Sequence, residues 1–228
     1  MTQRDSQPRI EDVTRIVLRP LASPLPLGFF AFGIGSILLS ALQFGLIPQA
    51  DVQNLALLFG VFVFPLEILA ALLAYFARES VGATILSIIA FSWLGTAVVT
   101  LTSAPDVSSP TIGFLYLSIA LILMLLGMVG VFGKPLLATV MFLALFRYGL
   151  NGIYELTSSA GLQTASGIIG CLIFALSLYG GLALALEDVQ HRTVLPFGRR
   201  GEARDAIEGD LGNQVGPVGK EAGVRKQL

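Results

Sequence analysis

Charge and reactive side chains are scarce in this sequence. Its 228 residues include 14 Lys and Arg, 15 Asp and Glu, one His, one Cys and one Trp. A single cysteine excludes an internal disulfide framework, and Cys171 lies in an apolar run, where a small packed thiol is the expected state. A single histidine excludes a histidine-rich metal site, and His191, beside Arg192, is placed as a solvated interfacial residue. There is no HExxH, phosphate loop, dinucleotide glycine motif or nucleophile elbow, so no enzyme class is indicated and no cofactor is expected. A net charge of -1, with no Lys/Arg cluster outside a polar C-terminal stretch, excludes a nucleic-acid partner. The first twenty residues are polar and lack the short apolar core and small-residue cleavage site of a secretory signal.

What the chain does have is apolar length. Hydrophobic residues make up 54% of it and the mean hydropathy is +0.80, well above a soluble domain of this size. Six stretches, at about 27–48, 54–76, 81–102, 112–133, 135–157 and 164–187, each approach the roughly twenty residues needed to span a bilayer as a helix. The fold class expected is therefore all-α, a polytopic membrane protein of six transmembrane helices. The short connections make consecutive helices antiparallel neighbours.

The charges give the orientation. Arg4, Arg9, Arg15 and Arg19 precede the first span, Arg78 follows the second, Lys134 the fourth, and the remaining basic residues follow the sixth. The alternate loops, which hold Asp51, Asp106 and Gln163, carry no Lys or Arg. By the positive-inside rule both termini are cytoplasmic. Residues 1–20 form a polar N-terminal segment in which Ile10, Val13 and Val17 at helical spacing, flanked by arginines, predict an interfacial helix; a frayed tail is the alternative. Residues 21–198 form the membrane domain. Residues 199–228 are polar, Gly-rich and of mixed charge, which predicts a disordered cytoplasmic tail.

Two residues break the apolar pattern at depth. Glu67 sits in the second span two residues after Pro65, and Arg147 sits in the fifth. By the helical rise Glu67 lies about 14 Å, and Arg147 about 18 Å, from the cytoplasmic surface. Each alone costs about 2.5 to 3.5 kcal/mol or more at mid-bilayer, so the two are expected to pair. Such a pair is either a static bridge or a switch in which an incoming carboxylate competes for the guanidinium and leaves Glu67 to take a proton. Pro65 is expected to loosen the helix beside it. Trp93 is expected in the packed interior. Small residues, among them Gly35, Gly127, Gly167, Gly170, Ser177 and Gly180, suit close helix packing.

The stretch Ser23-Pro24-Leu25-Pro26-Leu27-Gly28-Phe29-Phe30-Ala31-Phe32-Gly33 resembles the Asn-Pro-Ala-Pro-Leu-Gly opening of the acetate uptake transporter family, the YaaH or succinate-acetate permease group. His191-Arg192-Thr193-Val194-Leu195-Pro196-Phe197-Gly198 resembles that family's closing Gly-Arg-Thr-Val-Leu-Pro signature. The resemblance implies a six-helix protomer in the plasma membrane with its own substrate path, a hexameric ring, and transport of acetate- or succinate-like carboxylates with protons. It also implies an apolar constriction on helices one, three and five. Phe32 matches the first member, Ile89 stands where the family has tyrosine, and the third maps near Phe142, within about a residue. By the helical rise the three lie about 7, 12 and 10 Å in, at one level. Ser23 replaces the signature asparagine at the path's mouth, Glu67 stands where the family has glutamine, and Arg147 has no counterpart. The rival reading is a non-transporting membrane scaffold. A permeation path calls for polar-lined vestibules on both sides of Phe32 and Phe142, whereas a scaffold is packed throughout.

Overall fold

Proline sets where the helices begin, because its fixed φ and missing N–H suit a first turn and nothing further in. In the computed structural model, which describes residues 22–77, 79–103, 108–201 and 203–204, α1 spans Leu25–Gln43 directly after Pro24, with Pro26 in its first turn. α4 (Pro110–Gly130) and α5 (Pro135–Thr157) each start on a proline. α2 (Gln49–Phe76), α3 (Ser80–Thr102) and α6 (Ala160–Gln190) complete six helices long and apolar enough to cross a membrane. The protein is thus an all-α, multi-pass membrane protein. The segment expected as an interfacial helix, Arg78, Asp106 and the tail from residue 205 lie outside the described residues.

Three spans differ from the sequence expectation, and α2 is one of them, opening at Gln49 rather than 54, five residues early, through a 3-10 turn at Gln49–Asp51. α1 stops at Gln43 because Gly45 turns into the left-handed region at φ 71° and Pro48 follows. α6 runs 31 residues, and both α5 and α6 end on a left-handed residue, Ser158 and His191.

The bundle inverts the pattern of a soluble one. Leu46, Val61, Leu72, Phe76, Phe114 and Phe132 face outward, while Ser36, Ser40, Ala70, Ala71 and Ala74 are buried. Hydrocarbon surrounds such a surface, so helices associate through small residues rather than through hydrophobic exclusion. Not all chain neighbours pack closely. α1 lies mainly on α6, α4 on α5 and α2 on α3, whereas α3 and α4 touch only lightly. Among the described residues, every Lys and Arg except Arg147 lies at one end, where Lys134 pairs with Glu79 and Arg199 with Glu187.

At that end the chain stays on the bundle after α6. Phe197 is buried with its ring edge-on to Phe29 at 6.0 Å, and the Arg200 N–H donates to the Gly133 carbonyl at 2.9 Å.

The α4–α5 pair depends on bare backbone. A Cβ on Gly152 would lie 2.8 Å from Leu117 Cγ and 2.9 Å from the Gly113 carbonyl oxygen, whereas one on Gly149 would meet nothing within 4 Å. Gly152→Ala is therefore expected to push α4 off α5 and destabilise the protein by about 1 to 3 kcal/mol, seen as a lower unfolding temperature in detergent. Gly149→Ala is expected to leave that temperature unchanged or slightly raised.

Candidate functional site

On the α2 side, a wide turn places the acid. The buried residues Leu55, Phe59, Val63, Glu67 and Ala71 recur every fourth position. In a regular α-helix each such step overshoots the face by about 40°, and one i→i+5 turn takes up that excess. Residues Phe59–Val63 form that π-helical turn, immediately ahead of Pro65, whose ring disfavours the ordinary i→i−4 bond. Glu67 follows within one turn and is fully buried. Its Oε1 accepts a hydrogen bond from Trp93 Nε1 at 3.1 Å, and its Oε2 has no partner among the described residues. The indole is held in place by Phe59, at 4.8 Å between ring centroids, and by the bare backbone of Gly35, where a Cβ would come within 2.8 Å of Trp93 Cζ2.

On the α5 side, Arg147, Tyr148, Asn151 and Glu155 follow one helical face from the interior to the far end. Arg147 is 3% exposed. Its Nη2 donates to the Ser36 carbonyl at 2.9 Å and to Ser40 Oγ at 3.3 Å, both on α1. Its Nε and Nη1 have no partner among the described residues. The guanidinium lies across α6 at Gly170, where a Cβ would overlap Nη1, Cζ and Ser40 Oγ. One turn further along α5, Asn151 Oδ1 accepts from Gln43 Nε2 at 2.8 Å and from Ser166 Oγ at 2.6 Å. The Tyr148 and Ser92 hydroxyls are 2.5 Å apart, those of Tyr116 and Thr96 2.6 Å, and the two tyrosine rings meet edge to face at 5.5 Å. At the far end Glu155 Oε2 accepts from the Ser109 N–H at 2.7 Å.

The expected ion pair between Glu67 and Arg147 is not formed. Each charge finds a nearer polar neighbour: the α3 indole takes the carboxyl, and the exposed carbonyl and hydroxyl edge of α1 takes the guanidinium. Of the residues assigned to the constriction, Phe32 and Ile89 are buried, and Phe142 is turned away. Its ring packs on Gly127 of α4, and Met141, one position earlier, faces inward in its place. Ser23 is exposed just ahead of α1, makes no hydrogen bond to the described residues and reaches neither cavity described next.

Two narrow cavities of water size meet at Phe32, which lines both. The first, toward the far end, has a mixed lining in which Ser36, Ser92, Thr96, Tyr116, Arg147, Tyr148 and Asn151 join Trp93 and Leu39. The second, toward the end that carries the basic residues, is lined by Leu25, Phe29, Ile85, Ile89, Val140, Met141 and their neighbours, with no polar side chain. Polar side chains, expected on both sides of the constriction, therefore line one side only. Chemically, the first cavity offers one fixed positive charge and the Ser36 hydroxyl, which has no partner among the described residues, an arrangement suited to an anion; the Ser92, Thr96, Tyr116 and Tyr148 hydroxyls are engaged with one another and with backbone carbonyls. No cluster that would hold a metal occurs among the described residues.

Sequence reading missed most of the polar cavity. Ser36 and Ser40, and Arg147 with Asn151, are i,i+4 pairs in apolar helices, a signal legible in the sequence. Trp93 was legible as interior but not as the partner of Glu67. The seat of Arg147 at Gly170 is tested by a double-mutant cycle in detergent. Gly170→Ala is expected to destabilise the wild-type protein and to cost less when Arg147 is Ala, with a coupling of about 0.5 to 3 kcal/mol. Additive effects would place the guanidinium elsewhere.

No protein-family profile matches the sequence, and no curated protein is significantly similar to it. Among solved structures, the chain is similar to one described as that of the bacterial acetate channel SatP, with 24% sequence identity and a TM-score of 0.70. The match covers 78% of this chain and 99% of that one. The protein has the six-helix fold of that structure.

Proposed function

We propose that this protein is a divergent member of the acetate uptake transporter family and carries small carboxylate anions, acetate- or succinate-like, across the plasma membrane with protons. The observation that carries this reading is Arg147. It is a buried cation with no carboxylate in ion-pair reach among the described residues, two nitrogens without partners, and a place in the wall of a hydroxyl-lined cavity beside Phe32. An intramembrane charge left uncompensated is expensive, and an arriving anion supplies the missing charge. The fold shared with an acetate channel supports a carboxylate as that anion.

Glu67 is the proton-carrying group of this reading. Its carboxyl is fully buried, has one unpartnered oxygen, and is linked through Trp93 to the wall of the cavity that holds Arg147. Phe32 is the gate, since it alone of the constriction residues lines both cavities. Both termini lie in the cytoplasm, the side on which the basic ends gather, and the protomers assemble as a homo-oligomer, a hexamer by the family resemblance.

A scaffold role draws support from one observation, the wholly apolar cavity on the inner side of Phe32. Uptake separates the two readings. Proteoliposomes are expected to take up labelled acetate faster with an inward proton gradient. Arg147→Gln, in a folded protein, is expected to lower uptake at least about tenfold, the loss of one charge-assisted hydrogen bond of 1.5 to 3 kcal/mol. Glu67→Gln is expected to abolish the response to the gradient. Wild-type protein that moves no carboxylate would support the scaffold, and an unchanged gradient response in Glu67→Gln would remove Glu67 from proton coupling.

A further inference from the structure

The inner cavity contains nothing that a charged group can use. Leu25, Phe29, Ile85, Ile89, Val140 and Met141 present only carbon and one thioether sulfur to it. A carboxylate held there would lose its hydration without gaining a donor, a cost of several kcal/mol. The outer cavity, by contrast, ends on Arg147 and on the Ser92, Thr96, Tyr116 and Tyr148 hydroxyls. The two chambers share one wall, the Phe32 ring. A ligand that satisfies both has one charged end and one apolar end, joined in line across Phe32.

We infer that the site is built for aliphatic monocarboxylates longer than acetate, with the carboxylate on Arg147 and the alkyl tail displacing Phe32 to enter the apolar chamber. This rests on the carboxylate reading above and narrows it. A dicarboxylate such as succinate fits only one of its two charges: the outer cavity holds a single cation, and a second carboxylate directed past Phe32 meets the apolar lining. Ile89 contributes to this preference, because an aliphatic side chain at that position leaves α3 without a hydroxyl on the inner side of Phe32. The alkyl tail gains by leaving water, and the gain grows with each methylene that the chamber accepts.

Equilibrium displacement of labelled acetate from detergent-solubilised protein tests this without the unassisted membrane passage of longer acids. Propionate and then butyrate are expected to displace acetate more tightly, by about fourfold per added methylene, the burial of one CH2 group. Succinate is expected to displace it no better than acetate itself. Met141→Gln, which places an amide in the inner chamber at nearly unchanged size, is expected to flatten the chain-length series, read as the ratio of butyrate to acetate displacement. Equal displacement by acetate, propionate and butyrate, or succinate as effective as butyrate, would overturn the chain-length inference and leave the carboxylate reading standing. Protein that binds no carboxylate at all would overturn both.

Discussion

A guanidinium far from either end of an apolar bundle must be given oxygen atoms, and three helices of this protein are arranged around that requirement. α5 supplies Arg147, α1 presents the Ser36 carbonyl and Ser40 hydroxyl, and α6 supplies at Gly170 the only side chain small enough to leave room. These contacts satisfy one nitrogen and leave two. Neutralisation is not supplied by the described residues, so the charge remains available to whatever enters the cavity. A bridge to Glu67 would have removed that availability, and the geometry of α1 and α3 prevents it by offering each charge a closer partner.

The same logic governs the acid. Without the π-helical turn at Phe59–Val63, a residue at position 67 would rotate further from the face that carries Leu55 and Phe59. With it, Glu67 stays on the interior face and meets Trp93, whose ring is fixed by Phe59 and by Gly35. Gly35 and Ser36 are adjacent in α1, so the helix that seats the indole also binds the guanidinium. Phe32 lies one turn earlier on that helix. Acid, cation and the Phe32 ring therefore all bear on one short segment of α1, Phe32 to Ser40, and a small shift of that segment changes all three contacts together.

Much of the fold was legible in the sequence because lipid imposes simple demands. Six apolar lengths, prolines at helix starts and basic residues gathered on alternate loops each follow from a one-dimensional pattern, and the helices lie close to the expected limits. Glu67 and Arg147 stood out for the same reason, as charges where none is cheap. Their partners did not. Which face a helix turns inward depends on packing around the axis, and an error of one residue turns a side chain by about 100°. That error separates Phe142, which faces α4, from Met141, which lines the cavity. The π-helical turn adds a second shift that no periodicity search assuming a uniform 3.6-residue repeat contains. The contrast between an outer cavity with polar side chains and an apolar inner one arises from four helices at once and has no signature in any single stretch.

The proposed carboxylate site lies at Arg147, in the cavity walled by Trp93. Trp93 is the sole tryptophan of the protein and lines that cavity, so its emission reports occupancy directly. Titration of purified protein with acetate, against chloride at equal ionic strength, is predicted to give a saturable change in Trp93 fluorescence that is absent in Arg147→Gln. A saturable change of the same size and midpoint in Arg147→Gln would contradict that assignment.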